Sequence, residues 1–93
     1  MMKKNKILVD NIILNNEDLT LENKTITKID VKGNCKLNLY MCNIINLEIN
    51  ILDGSSLILN YYNEIDNLDT NIDIKTHNSS GVIFNHSFIN KDK

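Results

Sequence analysis

The sequence predicts an all-β fold, and three observations lead to that prediction. Apolar and polar residues alternate through most of the chain, β-branched Ile is the most frequent apolar residue with fifteen copies, and no long segment keeps the i, i+3, i+4 spacing of an amphipathic helix. Alternation places every second side chain on the same face of a strand, so it indicates strands that are buried on one face. Ala, the best helix former, is absent.

The alternating segments are the predicted strands. In chain order they are residues 19–21, 29–31, 36–41, 46–51, 57–61 and 71–75. Breaks rich in Asn, Asp, Gly and Ser separate them, and Gly suits turns that need a positive φ. A chain of 93 residues forms one domain. We therefore expect a single β domain over residues 19–90, an N-terminal lead-in over residues 1–18 and a short tail over residues 91–93.

The segment LEINILDGSSLILNYYN (residues 47–63) allows two topologies. Asp-Gly between alternating runs is a hairpin signal, although the connection here is longer than the two residues that make that signal strong. Against a hairpin, KGNCKLNLYM and DGSSLILNYY repeat one pattern, NSSGVIFNHSF is a weaker third copy, and the copies start 21 and 25 residues apart. Such self-similarity is typical of solenoids. We predict a short right-handed parallel β-helix with about two strands per coil, and the alternative is a small antiparallel β-sandwich.

Composition and charge argue against several partners. The net charge is −2 and Arg is absent, so the phosphate-neutralising surface expected of a nucleic-acid-binding protein is missing. No apolar run has the length of a membrane span. The first residues resemble a signal peptide, but Asp10 and Asn11 interrupt the apolar run and no small-residue cleavage site follows. We expect a cytoplasmic protein that has neither a nucleic acid nor a membrane as its partner and whose thiols are reduced.

The candidate metal ligands are Cys35, Cys42 and His77. The two Cys residues are seven apart, which is no common zinc spacing. Cys35 has the parity of Leu37 and Leu39 and is therefore expected in the core, whereas Cys42 begins a break and its exposure stays open. The alternative is that these residues bind no metal: Cys35 is a core thiol, Cys42 is a thiol at a break between strands, and His77 is a turn histidine.

No pattern in the sequence points to catalysis. There is no Gly-x-Ser-x-Gly elbow and no phosphate-binding Gly loop, and the carboxylates of Asp66, Asp69 and Asp73 lack the spacing of a calcium loop. We therefore expect a protein that is not an enzyme and holds no cofactor. The seventeen Asn residues are attributed in part to A/T-rich codons.

Residues 19–90 resemble part of the SufB/SufD family, the β-helical scaffold proteins of iron–sulfur cluster assembly. Three stretches carry the resemblance: LTLENKTITKIDVKGNCKLNLYM, LEINILDGSSLILNYYN and NIDIKTHNSSGVIFNHSFINKDK. On this match His77, Ser79 and Ser80 occupy positions where the family often has His followed by Ser or Thr. The family's cluster-related residues lie in later coils, so the resemblance implies a short or truncated version of the fold and transfers no catalytic residue.

The resemblance implies a non-enzymatic scaffold or accessory protein that acts through end-to-end solenoid association, either with its own copy or with a longer SufB/SufD-like protein. An iron–sulfur cluster would be its possible cofactor. A cofactor-free, self-assembling structural β-solenoid is the first alternative. A carbohydrate- or surface-binding β module is the second, and an exposed row formed by Tyr61 and Tyr62 would favour it.

Overall fold

The structure, a computed structural model, describes residues 7–9, 11–44, 46–64, 74–77 and 81–89. These residues form ten β-strands and contain no α-helix, which confirms the all-β class. The strands are β1 (Ile7–Val9), β2 (Ile12–Asn15), β3 (Asp18–Glu22), β4 (Lys24–Ile26), β5 (Lys28–Lys32), β6 (Asn34–Tyr40), β7 (Leu47–Ile51), β8 (Ser56–Glu64), β9 (Ile74–His77) and β10 (Val82–Ile89).

All strand pairs among the described residues are parallel. One four-stranded sheet has the order β3-β6-β8-β10, and we call it the long sheet; a second has the order β2-β5-β7-β9. Strands β7 and β8, the two halves of residues 47–63, lie in different sheets and do not form a hairpin. The antiparallel sandwich is therefore wrong, and the parallel pairing is compatible with the predicted solenoid. Its right-handedness stays a prediction.

The strand register follows the sequence repeat. In the long sheet Leu19 pairs with Leu37, Leu37 with Leu59, and Leu59 with Phe84. The step from Leu37 to Leu59 is one residue longer than the step of 21 between the two repeat copies. The extra residue lies in the turn, because two residues separate Gly54 from Leu57, whereas one separates Gly33 from Cys35.

A third, short side joins the two sheets. Strand β1 pairs with β4 in parallel, and Thr25 of β4 forms a further parallel bridge with Asn43. The first two turns of chain thus contain three strands each, so this side adds a short strand to the predicted two per coil. We call β1, β2 and β3 the first rung, and β9 and β10 the last rung.

The strand stack begins earlier than predicted. Strands β1 and β2 lie within residues 1–18, which we expected to be a lead-in, and Ile12 and Leu14 belong to the core with exposures of 6% and 0%. The strands and the core therefore include residues that the sequence analysis assigned to the lead-in. The sequence did not show β2 because Ile13, between its two core residues, is also apolar although it is 69% exposed, and this breaks the alternation.

The two sheets enclose one apolar cluster. Its buried members are Ile12, Leu14, Ile26, Ile29, Val31, Cys35, Leu37, Leu39, Cys42, Ile44, Leu47, Ile49, Ile51, Leu57, Leu59 and Tyr61. Complete burial of an Ile or Leu side chain contributes about 1.5–3 kcal/mol, so the aligned Ile and Leu columns are the main source of stability.

Left-handed residues at the same corner of successive turns let the chain pass from the second sheet to the long sheet. Asn16, Gly33 and Gly54 have φ values of 50°, 82° and 81°. The side chain of Asn16 accepts a hydrogen bond from the N–H of Asn34 at 2.9 Å, and the N–H of Gly33 donates to Oγ of Ser55 at 2.8 Å. These bonds tie each corner to the next and hold the strands of the long sheet in register.

Candidate functional site at the ends of the strand stack

A ladder of polar side chains crosses the outer face of the long sheet. Thr20, Asn38, Asn60 and Asn85 are successive partners in the strand register. The amide of Asn38 donates to Oγ1 of Thr20 at 3.3 Å, Asn60 donates to Oδ1 of Asn38 at 2.9 Å, and Asn85 donates to Oδ1 of Asn60 at 2.9 Å. The ladder reaches both edges of the described sheet. These three bonds run in one direction, with the later strand as the donor.

An aromatic pair lies beside this ladder. Tyr40 and Tyr62 face each other on neighbouring strands, with ring centroids 4.6 Å apart and planes 9° from parallel. Each ring uses one face on the other, and Tyr61 is fully buried. The exposed row of Tyr61 and Tyr62 that would favour sugar stacking is therefore not formed, and this geometry gives the carbohydrate-binding alternative no support.

The core column of the long sheet ends in side chains that are only partly covered. Leu37 and Leu59 are fully buried in the middle of the column. Their partner in the last rung, Phe84, is 38% exposed, and their partner in the first rung, Leu19, is half-buried. His86 continues the neighbouring column, where its ring centroid lies 5.0 Å from that of the buried Tyr61. Apolar surface is thus exposed at both ends of the stack.

Backbone groups also point outward at the two edges. A residue in a strand turns its N–H and C=O to the same side, and successive residues alternate. Glu17 and Asn23 lie immediately before and after β3. The carbonyl of Glu17 accepts from the N–H of Lys36 and the N–H of Asn23 donates to the carbonyl of Tyr40, both at 3.0 Å, so the backbone groups of the odd-numbered residues point towards β6. The even-numbered Asp18 and Thr20 therefore turn their N–H and C=O groups away from β6, towards the edge.

The same alternation applies at the last rung. The N–H of Met41 donates to the carbonyl of Tyr62 at 2.8 Å, so the backbone N–H and C=O groups of the even-numbered residues of β8 point towards β6. The backbone groups of the odd-numbered residues of β8 consequently point towards β10. In β10 it is Val82 and Phe84 that turn their backbone groups away from β8. Such an edge is a template for pairing with another strand.

The structure places the sequence-predicted metal candidates Cys35 and Cys42 in the core and His77 on strand β9. Cys35 and Cys42 are free thiols with exposures of 4% and 1%. The thiol of Cys35 donates to the carbonyl of Lys32 at 3.4 Å, as suits a small core residue. Cys42 is buried at a corner of the stack, which answers the question that the sequence left open. His77 lies in β9 opposite Asn50, on a different sheet from Cys35.

Among the described residues there is no group of three or more His, Cys, Asp or Glu side chains that could hold a metal ion. Asp66, Asp69 and Asp73 lie outside the described residues, and so do Ser79 and Ser80, the positions suggested by the family resemblance.

Sequence reasoning missed the Asn ladder. Its signal was present, because Asn38, Asn60 and Asn85 are separated by the same steps as Leu37, Leu59 and Phe84, the residues that precede them. Attributing the abundance of Asn partly to codon usage hid this spacing. In parallel, in-register strands identical amides stack and bond along the sheet, and that makes Asn a structural choice here.

Within the described part of the chain, no helix has the length and apolar character needed to cross a bilayer. No family model, no curated protein and no solved structure matches this chain.

Proposed function

We propose that this chain is a non-enzymatic assembly module, a short β-solenoid that associates by adding strands of a partner to the ends of its parallel sheets. Among the described residues the two four-stranded sheets end at the strands of the first and last rungs. A solenoid rung buries its apolar face only when it is covered by another rung. Association at an end continues the stacking that already holds the chain together.

One observation carries this proposal: Phe84 is 38% exposed although its register partner Leu59 is 0% exposed. The two residues occupy equivalent positions in successive strands, and they differ in what lies beyond them. A further strand on β10 would cover the Phe84 ring and pair the outward backbone groups of β10. It would thereby remove apolar surface and an open edge in the same step.

A narrower role in iron–sulfur cluster assembly is also proposed, and it rests on the resemblance to SufB/SufD. In that role the partner at the end of the stack would be a longer SufB/SufD-like protein, in a cytoplasmic setting. The test is anaerobic reconstitution with iron and sulfide, followed by measurement of iron on the gel-filtered protein. Stoichiometric iron that is lost in Cys35→Ser or Cys42→Ser would support the narrower role, whereas an iron-free oligomer would leave the cofactor-free assembly module.

The assembly proposal is tested by sedimentation velocity over a wide range of protein concentrations. The wild type is expected to form larger species as the concentration rises. Phe84→Lys places a charge that points inward at the open edge, a device by which natural proteins block strand addition. We expect this variant to raise the dissociation constant by at least about tenfold, equivalent to 1.4 kcal/mol.

Ile83→Lys is the matched control. Ile83 is the neighbour of Phe84, is 56% exposed and lies on the outer face, in the same column as Lys36. A lysine is therefore already accommodated in that column, and the control should associate like the wild type. A wild type that stays monomeric at every concentration would refute the proposal, as would equal effects of the two substitutions.

A further inference from the structure

The two edges of the long sheet are complementary to each other, and we infer that the partner is a second copy of this chain, joined head to tail. In this arrangement β3 of one copy adds in parallel to β10 of the other, with Thr20 opposite Asn85. The inference rests on the proposed association and specifies its partner, its direction and its register. It follows from three properties of the edges: the direction of the Asn ladder, the alternation of backbone groups and the charges on β3.

The ladder provides the first argument. The Nδ2 group of Asn85 donates to Asn60, which leaves Oδ1 of Asn85 as the acceptor at the outer end. At the opposite end Oγ1 of Thr20 accepts from Asn38, and the hydroxyl proton of Thr20 is left to donate. One end of the ladder therefore presents an acceptor and the other a donor. When Thr20 of a second copy lies opposite Asn85, its hydroxyl can donate to Oδ1 of Asn85. The ladder then continues into the second copy with the added strand as the donor.

The same chemistry disfavours a symmetric pairing of two last rungs. With each Asn85 amide turned to its own Asn60, the two Oδ1 atoms would face each other as acceptors. Pairing two β3 strands antiparallel about Thr20 is unfavourable for a different reason. It would place Asp18 of one copy opposite Glu22 of the other, and like charges directly opposite each other destabilise a strand pair.

Backbone geometry agrees with the head-to-tail register. When Thr20 lies opposite Asn85, Leu19 lies opposite Phe84, so the two core columns join through apolar side chains. The outward N–H and C=O groups of Phe84 then meet those of Asp18 and Thr20, which also point outward. A shift by one residue would turn the apolar side chains of the added strand towards solvent, so it is excluded by side-chain orientation.

A head-to-tail contact uses two different surfaces, so it repeats without closing unless the rotation forms a ring. The expected product is therefore a series of dimers, trimers and longer species. A symmetric contact would stop at the dimer.

Disulfide cross-linking tests the register directly. Thr20 and Asn85 lie at opposite edges of one sheet, so a bond between cysteines at these positions joins two copies. Directly opposite residues on adjacent strands are within the Cα separation that a disulfide spans, about 4.4–6.8 Å. The variant Thr20→Cys/Asn85→Cys is oxidised under mild conditions and resolved on a non-reducing gel. The expected result is a ladder of dimers, trimers and longer species.

The matched control is Thr20→Cys/Ser87→Cys, which moves one thiol by two residues along the same outer face. The two cysteines are then farther apart than a disulfide can span, so this variant should give at least about fivefold less cross-linked product. Wild type, whose native thiols are buried, sets the background. Equal cross-linking of test and control variants would overturn the register. Dimers formed efficiently by Asn85→Cys alone would overturn the head-to-tail direction and indicate a symmetric contact.

These failures are separable from failure of the proposed function. A symmetric or shifted cross-link on a protein that still associates in sedimentation would leave the assembly module standing and refute only the inferred contact. A wild type that is monomeric at every concentration, with cross-linking no higher than background, would refute both.

Discussion

The hydroxyl of Tyr61 donates a hydrogen bond to the carbonyl oxygen of Cys42, nineteen residues earlier in the chain. Tyr61 is fully buried and Cys42 is 1% exposed, so this bond satisfies polar groups inside the apolar cluster. It joins strand β8 to the corner that follows β6 in the preceding turn. The hydroxyl of Tyr61 thus ties this buried corner to the next turn of the chain.

Tyr61→Phe should therefore lower the free energy of unfolding by about 1–3 kcal/mol, because a buried carbonyl loses a hydrogen bond while the ring volume is kept. Urea unfolding followed by circular dichroism measures the change. Tyr62→Phe is the control, since it retains the ring that stacks on Tyr40, and its effect should stay below about 0.5 kcal/mol. A Tyr61→Phe protein as stable as the control would show that the bond contributes nothing.

The glycine corners differ in their surroundings although their backbones match. Gly33 and Gly54 have φ values of 82° and 81°, so Ala at either position incurs the left-handed cost of about 1–2 kcal/mol. A Cβ at Gly33 would also collide with the side chain of Asn16, whereas a Cβ at Gly54 meets nothing within 4 Å. That collision would disturb the hydrogen bond from Asn34 to Asn16.

We expect Gly33→Ala to be less stable than Gly54→Ala by about 1 kcal/mol, the contribution of a hydrogen bond. Urea denaturation of the two variants side by side isolates this difference, because the backbone cost cancels. Equal stabilities would mean that Asn16 moves aside without loss. The reverse order would contradict the role given to the Asn16 corner.

Strand phase, the assignment of each residue to the inner or outer face, is tested by a neighbouring pair. Leu59 is fully buried, and Leu59→Asp should abolish folding because an unpaired carboxylate would enter the core. Asn60 lies on the outer face, where Asp can still accept the bond from Asn85. Rotation of the Asn38 amide would restore a donor to the new carboxylate, so Asn60→Asp should cost no more than about 1 kcal/mol. Thermal unfolding distinguishes the outcomes, and a folded Leu59→Asp protein would show that the phase is wrong.

The sequence supported the prediction of the phase and of the strand spacing because side-chain parity and a repeated Leu-x-Leu pattern are local signals. It did not reveal which strands pair, since pairing depends on contacts between residues 17 to 27 apart, as between Ile12 and Ile29 or between Leu47 and Ile74. The short third side was missed for a related reason: β4 is three residues long and offers too little alternation to detect.

From the sequence we expected open edges at the ends of the predicted solenoid, but the sequence did not identify the residues at the edges of the two sheets. Their chemistry is visible only once the register is known, because the register places Asn85 beside Asn60 and Phe84 beside Leu59. The metal candidates were chosen by residue type. Type alone does not indicate that Cys42 turns inward at a corner where Met41 has a φ of 58°.

The burial of both thiols leads to a last prediction, on reactivity. Cys35 and Cys42 are 4% and 1% exposed, so a thiol reagent should reach them only when the surrounding rungs open. The exposed Ser87, replaced by Cys, supplies a reference thiol on the same chain. In native protein the two core thiols should react at least about a hundredfold more slowly than the reference, whereas in urea all three should react alike. Peptide mapping after labelling assigns the rates.

The outcome also bears on iron binding. If both core thiols are protected, a cluster that uses them requires the stack to open, so iron loading should accelerate in mild denaturant and native protein should take up iron slowly. If Cys42 reacts as fast as the reference while Cys35 does not, the corner at Met41 opens independently of the rungs. Cys42, which is buried in the structure, would then be accessible to iron without opening of the rungs. That result would support the proposed role in iron–sulfur assembly.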